Sequence, residues 1–277
     1  VQPFFCAGKV GNISQKSGRS PADGQKIVLG HVSHLIDILN FRYDVKVMRI
    51  ERHPRSLRLS HRRLWLALYR RDVPAAERLI ESALRAWPPQ RIYLRLFEPA
   101  LKLSGALWAK GRITHLDEHF VTYQVLRLMR TVRRHFVPPD SFGPLAIVTS
   151  AGQDSHIIGL RMVCDFLTWA NWRVHFVSSP DRGVVTAVAA RLKPQAVLLS
   201  LGREQSIVPA ARLIADLRRR RFAGLVVIGG RIVTPGLVTS LGADLTASNG
   251  AALVRALRPL FPSMGRRRGA DSSLAGG

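Results

Sequence analysis

Leu145-Ala146-Ile147-Val148-Thr149-Ser150-Ala151-Gly152-Gln153-Asp154-Ser155-His156-Ile157-Ile158-Gly159 is the stretch whose reading decides the fold. A short apolar run (145–148) passes into a polar loop, and the loop into an apolar segment of helical period near 157–170. The same unit recurs downstream. Apolar runs at 174–177, 196–201 and 225–228, with a weak one at 243–245, alternate with helical stretches near 184–192, 207–220 and 234–241. Such alternation predicts an α/β domain over 145–261 with a parallel sheet covered on both faces. Ligands of such sheets bind beyond the carboxyl ends of the strands, so the loops there should carry the chemistry.

Upstream, residues 61–136 read as helix. Leu64, Trp65, Leu68 and Tyr69 recur at three-and-four spacing. Asp72 ahead of Val73-Pro74 is an N-cap signal, and Ala76, Leu79, Ile80, Ala83 and Leu84 form a stripe that ends at Trp87-Pro88-Pro89. Leu94, Phe97, Leu101, Leu103 and Leu107 make the next stripe, irregular at Pro99 and closed by Gly111. Thr114-His115-Leu116-Asp117 fits a capping box for a last helix through Val121, Val125, Leu128 and Val132. Four helices with short connections predict a bundle. Residues 137–144, with Pro138-Pro139 and Gly143-Pro144, read as a linker. Residues 1–60 look poorly structured. The chain opens on Val1, and Met48 begins a stretch leading into the helices, so this segment reads as a fragment or as upstream sequence. Residues 262–277, a Gly/Ser/Ala tail behind Arg266-Arg267-Arg268, are expected to be disordered.

Composition narrows the class. The 277 residues are 47% hydrophobic and 22% charged, which is globular. Cys6 and Cys164 stand far apart, which excludes a disulfide scaffold or a cysteine zinc cluster and fits the cytoplasm. The sequence holds no membrane-length apolar run, and its start makes a poor signal peptide. Lys plus Arg number 42 against 18 Asp plus Glu, a net +24. The arginines are scattered rather than held on one stripe, so the field attracts polyanions without sequence preference.

The loop after the first strand sets Asp154 two residues before His156 and just ahead of a helix that contains Gly159. A carboxylate can take the proton on one imidazole nitrogen and leave the other lone pair for a metal. With no second His or Cys nearby, such a metal would draw its other ligands from a cofactor. Ser200-Leu201-Gly202 follows the third strand, and Gly229-Gly230 ends the fourth. Glycine there lets a flat or bulky group approach the backbone. Each signal is weak alone; their order and strand positions weigh more.

In that order, Asp154-x-His156-x-x-Gly159, Ser200-x-Gly202 and Gly229-Gly230 resemble the signature of the cobalamin-binding Rossmann-like domain. The resemblance implies His156 as lower axial cobalt ligand, in place of the dimethylbenzimidazole base, with Asp154 orienting it. It also implies that the displaced nucleotide tail runs into a slot lined by Ser200 and the glycines. That family's Ser motif more often continues Ser-x-Leu or Ser-x-Thr, so Gly202 is a departure. In the helical half, nine residues (109–117) separate Trp108 from Glu118-His119. This resembles the cap of CarH/LitR-type cobalamin photoreceptors, which covers the upper face of the corrin. The joint from Gly111 to Thr114 should bring Trp108, Glu118 and His119 to one spot. Residues 1–60 lack the MerR-type helix-turn-helix of those photoreceptors. Ala109 stands where some of them have an upper-ligand His, leaving His119, or His115, as the candidate. A standalone sensor of this shape is similar to AerR-type antirepressors.

The resemblance therefore implies a light-responsive regulator of transcription rather than an enzyme. It would hold adenosyl-, methyl- or hydroxocobalamin and act through a separate DNA-binding repressor, with possible light-dependent self-association. A corrinoid carrier of a methyltransferase system shares the plan, but would not require Trp108 beside Glu118-His119. Heme held by the loop His is a third reading. A conventional enzyme is disfavoured: no Gly-x-Gly-x-x-Gly after a strand, P-loop or Gly-x-Ser-x-Gly elbow occurs. His31, His34, His53, His61 and His135 show no ligand spacing and read as surface.

Overall fold

The computed structural model describes residues 59–136, 143–152, 157–178 and 181–261. The expectations for residues 1–58, for the linker at 137–142, for Asp154 and His156, and for the tail at 262–277 lie outside the described residues. Helix α1 (His61–Tyr69) buries Leu64, Trp65 and Leu68, and α2 (Val73–Ala86) buries Ala76, Leu79, Ile80 and Ala83, as their periodicity predicts. The Asp72 side chain caps α2 by accepting from the Ala75 N–H at 3.0 Å.

The next helical stretch runs in three parts: α3 (Pro89–Ile92), a π segment (Tyr93–Phe97) and α4 (Glu98–Ala109). Pro99 has no N–H to return to the preceding turn, and the wider π turn falls just before it. Ile92, Tyr93, Leu96, Phe97, Ala100, Ser104 and Leu107 are buried and keep three-and-four spacing through Pro99, whereas Leu94, Leu101 and Leu103 of the expected stripe lie beside that face and are only half-buried.

A Schellman motif ends α4: the Gly111 N–H bonds the Trp108 carbonyl at 2.8 Å, and the Arg112 N–H bonds the Leu107 carbonyl at 2.9 Å. Gly111 takes φ 64° there, a conformation that favours glycine. Helix α5 (His115–His135) then starts on the expected capping box, with the Thr114 and Asp117 side chains each bonding the other's backbone.

Five parallel strands follow: β1 (Leu145–Ser150), β2 (Arg173–Val177), β3 (Ala196–Ser200), β4 (Leu225–Gly229) and β5 (Leu245–Thr246), in the order β2-β1-β3-β4-β5. Between them run α6 (Ile158–Trp169), α7 (Arg182–Leu192), α8 (Ile207–Arg219) and α9 (Pro235–Leu241), and α10 (Gly250–Leu257) closes the domain. One sheet face packs against α7, α8 and α9 through Val185, Ala189, Leu213 and Leu217; the other packs against α6 and α10 through Leu160, Leu167, Leu253 and Leu257. The predicted class holds: a helical cap followed by a doubly covered parallel sheet, the Rossmann-like arrangement. Helix α10, capped by the Asn249 side chain on the Ala252 N–H at 2.9 Å, was not anticipated. The chain reverses direction between β1 and β3, the position at which such sheets open a crevice.

Candidate functional site

The sheet register brings the motif positions together. Ser150 pairs with Ser200, and Ser200 with Gly229, so the ends of β1, β3 and β4 form one row. The Ala151 N–H bonds the Ser200 carbonyl at 2.9 Å, and the Leu201 N–H bonds the Gly229 carbonyl at 2.7 Å, which extends the ladder into the loops. From this row a cavity of about 220 Å³ runs between α6 and α10. Gly159, Ser200, Gly229 and Gly230 all line it. Gly202 does not; its carbonyl instead accepts from the Arg231 guanidinium at 3.4 Å.

The glycines differ in what they do. Among the described residues a side chain at Gly159 would meet nothing within 4 Å, and at Gly229 only the Ala247 carbonyl at 3.7 Å, so these two leave the slot open. Gly230 has φ 121°, and a Cβ there would lie 2.3 Å from the Leu201 carbonyl oxygen. The protein's own backbone requires that glycine, with or without a ligand.

Sequence reading missed the cavity's other walls. Phe166 of α6 and Gly250 of α10 meet so closely that a Cβ on Gly250 would stand 2.5 Å from the Phe166 ring. Asn249-Gly250 ahead of Leu253 and Leu257 is a cap-and-stripe signal that could have revealed α10. From the cap, Tyr93 and Glu98 reach the cavity. Tyr93 is fully buried, and its hydroxyl donates to the Asp165 carboxylate of α6 at 2.6 Å. The Arg133 guanidinium of α5 donates to both Asp165 oxygens at 3.2 Å. Burial pushes the Asp165 carboxyl above the usual carboxylate range, outweighing the pull of Tyr93 and Arg133 in the other direction. Burial first, then the Asp165 charge and hydrogen bond, raise the Tyr93 hydroxyl as well. The neighbouring Cys164 thiol is pushed up to about 12, chiefly by burial, and so stays a thiol. The signal available in sequence was a carboxylate set directly between apolar neighbours in a helix, Cys164-Asp165-Phe166.

At the α4–α5 joint the structure gathers the expected cap residues. The Trp108 ring lies 5.9 Å from that of His115, and His115 lies 3.8 Å from His119. Glu118 holds His119 Nδ1 at 2.9 Å through one oxygen and accepts from the Thr122 hydroxyl at 2.8 Å through the other. Trp108 is 45% exposed, which sets it apart from an ordinary core indole. None of Trp108, Glu118 and His119 lines the slot. Among the described residues no three His, Cys, Asp or Glu side chains assemble a metal cluster. His61, expected at the surface, is half-buried, and burial with the Arg62 charge lowers its pKa.

Residues 144–257 match the family model of the B12 binding domain. Residues 61–132, the cap helices, match a second model of the same description. Together the two matches support cobalamin binding; neither points to heme. No curated relative matches the chain in sequence. Among solved structures, the monomethylamine corrinoid protein of Methanosarcina barkeri is similar at 20% identity and a TM-score of 0.64, over 72% of this chain and 96% of that one. A cobalamin-binding protein from Desulfitobacterium hafniense DCB-2 is similar at 17% identity over 71% of this chain and 96% of its own, with a TM-score of 0.40. The first likeness speaks for the shared fold, cap and sheet in the same order. Among the described residues no helix is long and apolar enough to cross a membrane.

Proposed function

We propose that this protein binds a cobalamin between its helical cap and the carboxyl ends of β1, β3 and β4, and that it works as a light-responsive regulator. The observation that carries the binding is the slot. Gly159, Ser200 and Gly229 come from three separate elements, and they meet on one cavity inside the region that matches the B12 binding domain. Its volume falls below the roughly 300–1,000 Å³ of a whole small-molecule site, which suits a ligand's tail rather than a macrocycle. His156, directly before α6, would supply the lower cobalt ligand, and Asp154 would hold the proton on its other nitrogen.

The regulatory reading rests on the exposed joint. A half-exposed indole beside two imidazoles and a fixed carboxylate forms a surface that a corrin's upper ligand would cover. An alkylcobalamin supplies a light-labile cobalt–carbon bond. Trp108, with Glu118 and His119, would pack the upper ligand in the dark and lose that contact in the light, which shifts the cap's equilibrium. The change would pass to a separate DNA-binding repressor, with the basic surface adding non-specific attraction to nucleic acid. To test this, the protein is loaded with adenosylcobalamin and illuminated. The expected outcome is an altered spectrum together with a changed elution volume or repressor affinity. Identical behaviour in light and dark removes the regulatory reading.

One observation favours a second reading, a corrinoid carrier in a methyltransferase system: the fold likeness to the monomethylamine corrinoid protein spans nearly all of that chain. Methyl transfer from a methylated amine to the bound corrinoid, in the presence of a partner methyltransferase, would select it.

A further inference from the structure

Two facts about Tyr93 meet in one side chain. Tyr93 is one of the residues lining the slot, and its hydroxyl is tied to the domain on which the slot is built. Tyr93 and Phe97, the two ends of the π segment, both lie on the buried face of the cap helix. The ring is held edge-on between Phe97 at 5.1 Å, Trp169 at 5.0 Å and Phe166 at 6.0 Å. Trp169 adds a second tie from α6 to the cap, its indole N–H reaching the Phe136 carbonyl at 3.3 Å. Asp165 is 7% exposed, so losing its partners would leave a carboxylate desolvated and unpaired. The tie is therefore kept or broken as a unit.

Resting on the cobalamin reading, we propose that Tyr93 is the cap's own wall of the nucleotide-tail slot, and that its bond to Asp165, braced by Arg133, makes filling the slot and docking the cap a single equilibrium. A tail in the slot packs on the Tyr93 ring only when the cap is seated, so the tail favours the seated state. By reciprocity, the seated cap raises affinity for tail-bearing corrinoids. Tyr93 acts on the tail by contact; Asp165 and Arg133 are positioning residues that act through it.

The test compares two corrinoids on the full chain: hydroxocobalamin, which has the nucleotide tail, and cobinamide, which lacks it. Wild type should bind cobalamin more tightly. Tyr93→Phe keeps the ring but cuts the tie, and should weaken cobalamin by about tenfold, the scale of one lost hydrogen bond to a charged group, while leaving cobinamide unchanged. Asp165→Asn, with Tyr93 unchanged, retains an acceptor for the Tyr93 hydroxyl and should keep most of the wild-type affinity. Hydrogen exchange provides a second readout, because cobalamin should protect Tyr93–Phe97 and the last turn of α5, and cobinamide should not. A Tyr93→Phe variant that loses both corrinoids equally, or neither, overturns the coupling while cobalamin binding stands. A wild-type protein that binds neither corrinoid overturns the cofactor reading itself.

Discussion

Ser104 sits fully buried in the cap with a hydroxyl that finds no partner among the described residues. An unpaired buried hydroxyl costs on the order of 1–3 kcal/mol, so Ser104→Ala should raise the thermal midpoint of the protein. A lower midpoint would show that the hydroxyl is satisfied after all. Gly250 has the opposite sensitivity. A methyl there collides with the Phe166 ring, and overpacking of this kind costs about 1–3 kcal/mol. Gly250→Ala should therefore destabilise the sheet domain in urea, and Phe166→Leu in the same chain should restore part of the loss. Additive losses in the double variant would mean that the two residues do not meet. At this scale sequence reading succeeded where a residue's chemistry is local. Thr114 and Asp117 cap the helix they precede, and Gly111 takes the left-handed turn expected of it. It failed where the partner is distant in sequence: nothing near Asp165 announces Tyr93, 72 residues away.

Among the elements, the seam between cap and sheet domain is the most informative. Asp165 has its pKa raised by burial in the fold, so the fold binds that proton more tightly than the unfolded chain does. The stabilising contribution is then complete below the unfolded carboxylate value of about 3.9, and it is lost as pH rises through the raised folded value. Wild type should accordingly lose stability relative to Asp165→Asn as pH rises above about 4. Urea midpoints of the two proteins across that range give the slope, and a gap that widens in favour of wild type reverses the sign. The elements themselves were legible wherever a single period persists. The first four strands and the helices of the α/β half fall close to their sequence positions, because alternation between buried runs and amphipathic runs leaves little choice. Between Pro89 and Ala109 apolar residues occupy more than one face, so the expected stripe takes Leu94, Leu101 and Leu103 where Ile92, Tyr93, Leu96 and Ala100 hold the buried face. Helix α10 lies beyond the weak fifth strand, and its signals are the Asn249 cap and the buried pair Leu253 and Leu257.

Across the whole molecule, charge and cofactor act on different scales. A net charge of +24 spread over scattered arginines predicts binding to any nucleic-acid duplex at low salt, with affinity falling steeply as salt rises. Filter binding with a random-sequence duplex at two salt concentrations checks this. Salt-insensitive or sequence-selective retention would mean that a built nucleic-acid site exists. The cofactor account depends instead on order along the chain, with cap helices first, then a parallel sheet whose third and fourth strands end on the slot. Visible titration with hydroxocobalamin, followed by desalting, tests that account most directly. It predicts one equivalent retained on the protein, with a spectrum displaced from that of the free cofactor, and loss of the displacement in His156→Ala. Cobalamin that elutes entirely free of the protein, or an alanine variant whose bound spectrum equals that of wild type, would contradict it.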